Sequence, residues 1–233
     1  MTVKLVALTH PVAPQVAGKT PVHQHVYKRL RAMILFGDLA PGQAVTIQGL
    51  TTQLDAGMTP VREALRRLIA EGALKQQDNR RVTVPILTLQ GAEELGFMRK
   101  ALEPELTRRA AARMTPALLR QLDQCDASLN QAIAKGDVGG YLTHNYRFHA
   151  LVYIASEAPI MTATVNRLWL RFGPSLRVVC GRFGTSNLPD KHMDLLAALR
   201  GNDIDAAANA MAEDVEQGML LVRAALQADS AAN

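Results

Sequence analysis

From residue 91 to residue 227 the apolar positions recur at helical spacing, and no stretch alternates as a strand would. Breakers at Thr115-Pro116, Gly136, Pro159 and Gly184 divide this region. The pattern predicts helices over 91–113, 115–134, 138–156, 160–180, 188–200 and 203–227. Pro104 falls inside the first and is expected to kink it rather than end it. Six helices joined by short loops suggest an antiparallel bundle.

The front of the chain reads differently. Val22, Val26, Leu30, Met33 and Ile34 form one apolar helical stripe, ended by Gly37-Asp38. A second short helix is expected over 46–54, with Ile47, Leu50 and Leu54 inward, and Asp55-Ala56-Gly57 breaks it. A third starts at Thr59, which suits the N-cap, with Pro60 at the first helical position, and Gly72 stops it. Two short strands over 73–75 and 81–86, joined by a turn at 76–80, complete the order helix, helix, helix, hairpin. The predicted fold is mainly α. An N-terminal winged helix-turn-helix (21–87) follows a flexible arm (1–20) and precedes a C-terminal all-α antiparallel bundle (91–228).

Charge separates the two halves. Residues 1–90 hold 11 basic against 5 acidic side chains, and the remainder holds 15 against 16. A basic front and a neutral back suit a polyanion at the front, although a solvated basic surface gives the same count. In a helix-turn-helix the second helix of the pair offers its first residues to base edges in the major groove. Arg62 and Arg66 sit one turn apart beside the inward stripe of that helix. There they can pair with guanine or grip phosphate, while an ordinary solvated helix would carry the same residues. Arg80 and Arg81 lie where the tip of a wing would reach DNA.

In the back half, Asn145 and His149 are four apart and share a helix face, His192 opens the fifth helix and Asp214 lies within the sixth. Two imidazoles and one carboxylate suit a divalent transition ion with open positions. A lone His on an apolar helix also serves as a satisfied core residue.

The run LAPGQ at 39–43 followed by TPVREALRRLIAEG at 59–72 resembles the DNA-binding domain of the GntR family. The resemblance implies that Thr59, Arg62 and Arg66 belong to the base-reading helix and that Arg31 on the first helix touches phosphate. This chain has Gly57-Met58 where members usually carry Ser-Arg, and Arg80-Arg81 where the wing usually has glycine. Residues 94–111, with Met98-Arg99 and Leu102-Glu103-Pro104, are similar to the start of the FCD domain of the FadR subfamily, and the likeness continues through Asn145, His149, His192 and the stretch 202–214. The implied function is a transcription regulator, commonly a repressor, acting as a homodimer on operator DNA. Its bundle would hold zinc or nickel and a small carboxylate effector. Asn145 stands where the family has Asp, and Asp214 where it has His. The metal set carried over is therefore Asn145, His149, His192 and Asp214. Arg99 is the expected partner of the effector carboxylate, with Arg171 a second candidate.

No apolar run reaches the ~18–20 residues a membrane span needs. The apolar stretch near residue 5 is too short for a signal-peptide core, so a cytoplasmic protein is expected. Cys125 and Cys180 form no metal-binding or redox spacing. An alternative is a DNA-binding regulator with a metal-free pocket. A more distant one is a metalloenzyme using His149, His192 and Asp214, disfavoured because no general base stands near them.

Overall fold

A computed structural model describes residues 21–77, 81–184 and 191–231. The expected arm at 1–20, most of the turn between the strands (with Arg80) and the start of the fifth bundle helix lie outside the described residues.

The N-terminal part comprises α1 (Val22–Leu35), β1 (Ala44–Val45), α2 (Ile47–Leu54), α3 (Met58–Ala70), β2 (Lys75–Gln76) and β3 (Val82–Thr83). Val26, Leu30 and Ile34 of α1 face Val61, Leu65 and Leu68 of α3, all essentially buried. Thr46 caps α2 by accepting from the Gly49 amide. The three strands form an antiparallel sheet in the order β1-β3-β2, with Ala44 and Lys75 both opposite Thr83. β1 is an addition to the expected hairpin.

The start of α3 corrects one expectation. The helix begins at Met58 with Gly57 as its N-cap, which makes no side-chain hydrogen bond. Thr59 is therefore an exposed residue within the first turn and not the cap. Proline tolerates any position in a first turn, where amides lack partners anyway, so Pro60 does not fix the boundary. A side-chain lattice anchors α3 to α1. The Tyr27 hydroxyl donates to Glu71 at 2.8 Å, and Arg67 bonds the same carboxylate at 2.9 Å while covering the Tyr27 ring.

The C-terminal part is a bundle of α4 (Leu89–Ala111), α5 (Pro116–Lys135), α6 (Val138–Ala155), α7 (Pro159–Phe183), α8 (His192–Arg200) and α9 (Ile204–Ala231). α4 and α8 pack along α9, α5 along α6, and α7 runs between α4, α6 and α9. α4 continues through Pro104, which is buried within it. Cys125 and Cys180 are buried free thiols.

The two parts meet where α1 lies on α7. A Cβ on Gly173 would fall 2.1 Å from the Leu35 carbonyl oxygen, so only glycine allows this backbone approach. Gly37, just past α1, sits equally close on the Arg177 side chain. Among the described residues no helix is long and apolar enough to cross a membrane.

Candidate functional site

Two features stand out. On α3, Thr59, Arg62 and Arg66 are exposed. Neither guanidinium has a protein partner among the described residues, so both are available to a ligand. Arg67, by contrast, is held by Glu71. Arg81 is exposed at the near end of the wing, its carbonyl accepting from the Gln77 amide.

In the bundle, Arg99, Asn145, His149 and Asp214 line a cavity with Trp169 and Phe172, of about 380 Å3 with its open mouth included. His149 comes from α6, His192 from the first turn of α8 and Asp214 from α9, and one ligating atom of each lies within 4.8 Å of the others. The His149 Nε2 is 3.1 Å from Asp214 Oδ2, and the His192 Nε2 is 3.9 Å from Oδ1. His192 stacks on Phe148 with ring centroids 3.9 Å apart, and its Nδ1 lies 3.4 Å from Asp126.

A buried chain of hydrogen bonds orients His149. The Tyr153 hydroxyl donates its one proton to Glu103 at 2.6 Å and accepts from Trp169 Nε1 at 3.0 Å. Its remaining lone pair faces His149 Nδ1 at 3.2 Å, so that nitrogen must be the donor. With Nδ1 held by Tyr153, the ring is oriented so that Nε2 points at Asp214, where a proton or a cation can sit between them, the arrangement of a ligating imidazole supported by an outer shell. Glu103 is in turn neutralised by Arg99, at 2.5 and 3.3 Å. Burial opposes the charge on Glu103, but Arg99 and His149 outweigh it and hold the carboxyl below its usual range. Burial alone would lower His149, yet Asp214 and Glu103 raise it to about 9. Asp214, which burial would raise, is held at about 2 by His149, His192 and Arg99. A cation bound between these groups would take the place of the shared proton.

Comparison with known proteins assigns each half of the chain to a known domain. Residues 22–84 match the DNA-binding domain of bacterial regulatory proteins of the gntR family, and residues 94–217 match the FCD domain. The chain is 30% identical to the HTH-type transcriptional regulator McbR of Escherichia coli over 83% of its own length and 89% of that protein's. The chain belongs to the GntR family. It is a DNA-binding transcription regulator with a C-terminal FCD domain and not an enzyme. It is 26% identical to the E. coli HTH-type transcriptional repressor RspR, over 94% of this chain and 96% of that one. The solved structure of E. coli McbR/YncC superposes with a TM-score of 0.82 at 29% identity, covering 88% of this chain and 98% of that one.

Within this GntR-family chain, two expected site residues sit elsewhere. Arg31 turns inward across the α1–α7 contact, its Nη2 3.3 Å from the Tyr146 hydroxyl and 3.4 Å from the Asn166 carbonyl, instead of facing outward to phosphate. The Tyr146 hydroxyl and ring favour its charge enough to outweigh burial. Arg171 lies outside the cavity on the exposed side of α7, donating to the Gly72 carbonyl at 3.4 Å, because the buried face of α7 belongs to Trp169 and Phe172. Arg99 lines the cavity, but two of its nitrogens serve Glu103 and its plane lies 4.4 Å from the centroids of Trp169 and Phe172. Sequence reasoning passed over Glu103, Tyr153 and Asp126. The first two stand four residues after Arg99 and His149, a spacing that marks them as same-face partners.

Proposed function

We propose that this GntR-family regulator is a homodimeric repressor whose affinity for operator DNA is set by a small organic acid, bound in the bundle beside a divalent ion. The observation that carries this reading is the convergence of His149, His192 and Asp214, from three helices, beside an open cavity that His149 and Asp214 line with Trp169 and Phe172. Two imidazoles and a carboxylate fit zinc or nickel and leave positions open for an exogenous ligand. The oriented Nε2 of His149 supports the fit, because it faces the same point as Asp214 and His192. When bound, the ion would supply a Lewis-acidic point for the effector's carboxylate.

The rest falls to the chain's own residues. Arg99, Glu103 and Tyr153 hold the His149 ring in one orientation. Trp169 lines the cavity and packs edge-on against Tyr146, with centroids 5.4 Å apart, and Tyr146 reaches Arg31 of α1. A ligand that displaces Trp169 therefore presses on the contact that sets how α1, and with it α3, sits on the bundle. Coupling of this kind needs only ~1–3 kcal/mol of differential binding. RspR, similar over 96% of its own length, is named a repressor, which supports that sign of control.

The test is the metal content of protein purified without an affinity-column metal, measured by mass spectrometry on the wild type, His149→Ala and Asp214→Ala. About one ion per chain, lost in both variants, is expected. A metal-free wild type that takes up neither zinc nor nickel would overturn the reading.

A further inference from the structure

Asn145 is more than nine-tenths buried and lines the cavity beside His149 and Asp214. Among the described residues its side-chain amide makes no hydrogen bond. Its amide therefore faces the open cavity, with its donors and its carbonyl available to a ligand. Its surroundings say what that could be. Asp214 faces the candidate metal position, and a second carboxylate, Asp126, stands behind His192. Those two negative charges already match the two positive charges of a divalent ion, while Arg99 and Glu103 cancel one another. A third carboxylate at 145 would make the pocket negative and repel an anion. An amide is neutral and offers two N–H donors.

We infer that Asn145 is an effector-recognition residue and not a metal ligand, and that it donates to the carboxylate of a monoanion with a flat, apolar body. This deepens the proposed effector site and rests on that reading. The donor set supports the division of roles, since two imidazoles and a carboxylate already give three strong ligands and an amide oxygen competes poorly with them. The shape of the ligand follows from the rest of the lining, to which Tyr141, Trp169, Phe172, Leu176 and Leu221 contribute aromatic and aliphatic groups. Exclusion of a second carboxylate follows from the charge balance. No unmatched cation lines the cavity, because the guanidinium of Arg99 is held by Glu103.

Trp169 is the chain's single tryptophan, so its fluorescence reports directly on the cavity. The experiment titrates zinc-loaded full-length protein with benzoate and with the dianion phthalate, for the wild type, Asn145→Asp and Asn145→Ala, and measures the zinc held by each. Benzoate is expected to change the emission of the wild type, and phthalate to bind at least about tenfold more weakly. Both variants should keep their zinc and lose at least about tenfold in benzoate affinity. Zinc uptake with no benzoate response in the wild type, equal binding of phthalate, or unchanged benzoate affinity in Asn145→Asp would overturn this inference alone. So would loss of zinc in Asn145→Ala, because Asn145 would then be a metal ligand. Failure of the wild type to take up zinc would instead overturn the metal reading beneath it, and this inference with it.

Discussion

Arg31 of α1 and Tyr146 of α6 meet across the junction of the two halves, 3.3 Å from nitrogen to hydroxyl, and the same hydroxyl donates to Asn166 Oδ1 at 2.8 Å. This pair makes the junction a polar lock as well as an apolar contact. Tyr146→Phe removes one acceptor and one donor, and is expected to lower stability to urea by about 1–2 kcal/mol. Arg31→Ala should leave the salt dependence of operator binding unchanged. A fall of about one in the slope of log K against log salt would restore Arg31 as a phosphate contact.

Arg62 and Arg66 make the opposite prediction. Both are exposed and unpartnered among the described residues, so substitution by alanine should leave the melting temperature within about one degree of the wild type. Operator affinity should fall by about 1–3 kcal/mol for Arg62→Ala, with relaxed preference at one base pair. Unchanged binding of a selected operator by the double variant would remove α3 from the DNA interface.

Gly173 tests how closely α1 and α7 approach. Its missing Cβ leaves room for the Leu35 carbonyl oxygen, so Gly173→Ala must push the two helices apart. A loss of about 1–3 kcal/mol of stability is expected in thermal or urea unfolding. An alanine variant as stable as the wild type would show the junction to be looser than described.

Glu103 is fully buried against Arg99, with Tyr153 donating to it. Glu103→Ala leaves a guanidinium buried without its counter-charge, and should cost about 3–5 kcal/mol. Glu103→Gln should cost less and still weaken metal retention, because the outer-shell orientation of His149 is disturbed. Retention of metal by Glu103→Gln at wild-type affinity would separate the chain of hydrogen bonds from the site.

The helices were legible because each carries its own signal. Thr115 and Gly136 bound α5 as cap and left-handed terminator, and Val26, Leu30 and Ile34 of the α1 stripe are buried, although Val22 at its first turn is exposed and Met33 only partly covered. β1 was not legible, since two residues cannot show a period, and Ala44 and Val45 become a strand only by pairing with β3. Spacing placed Asn145 and His149 on one face, but nothing in a single sequence brings α8 and α9 to that face. Residue type singled out His192 and Asp214, and the family likeness tied them to the same site. Arg31 and Arg171 were misplaced for a common reason. An arginine beside an apolar stripe can turn outward to a ligand or across to a neighbouring helix, and the choice depends on whether a Tyr146 or a Gly72 carbonyl lies within reach.

The most direct test of the central claim is operator affinity, measured by fluorescence anisotropy on a DNA site selected with the purified protein. It would be compared before chelation, after chelation and after the return of zinc with benzoate, in the wild type and in Asp214→Ala. If the bundle site controls the DNA-binding half, zinc with benzoate changes wild-type affinity by about fivefold or more, and Asp214→Ala does not respond. Equal affinity in every state of the wild type would contradict the account, leaving a DNA-binding protein that its bundle does not regulate.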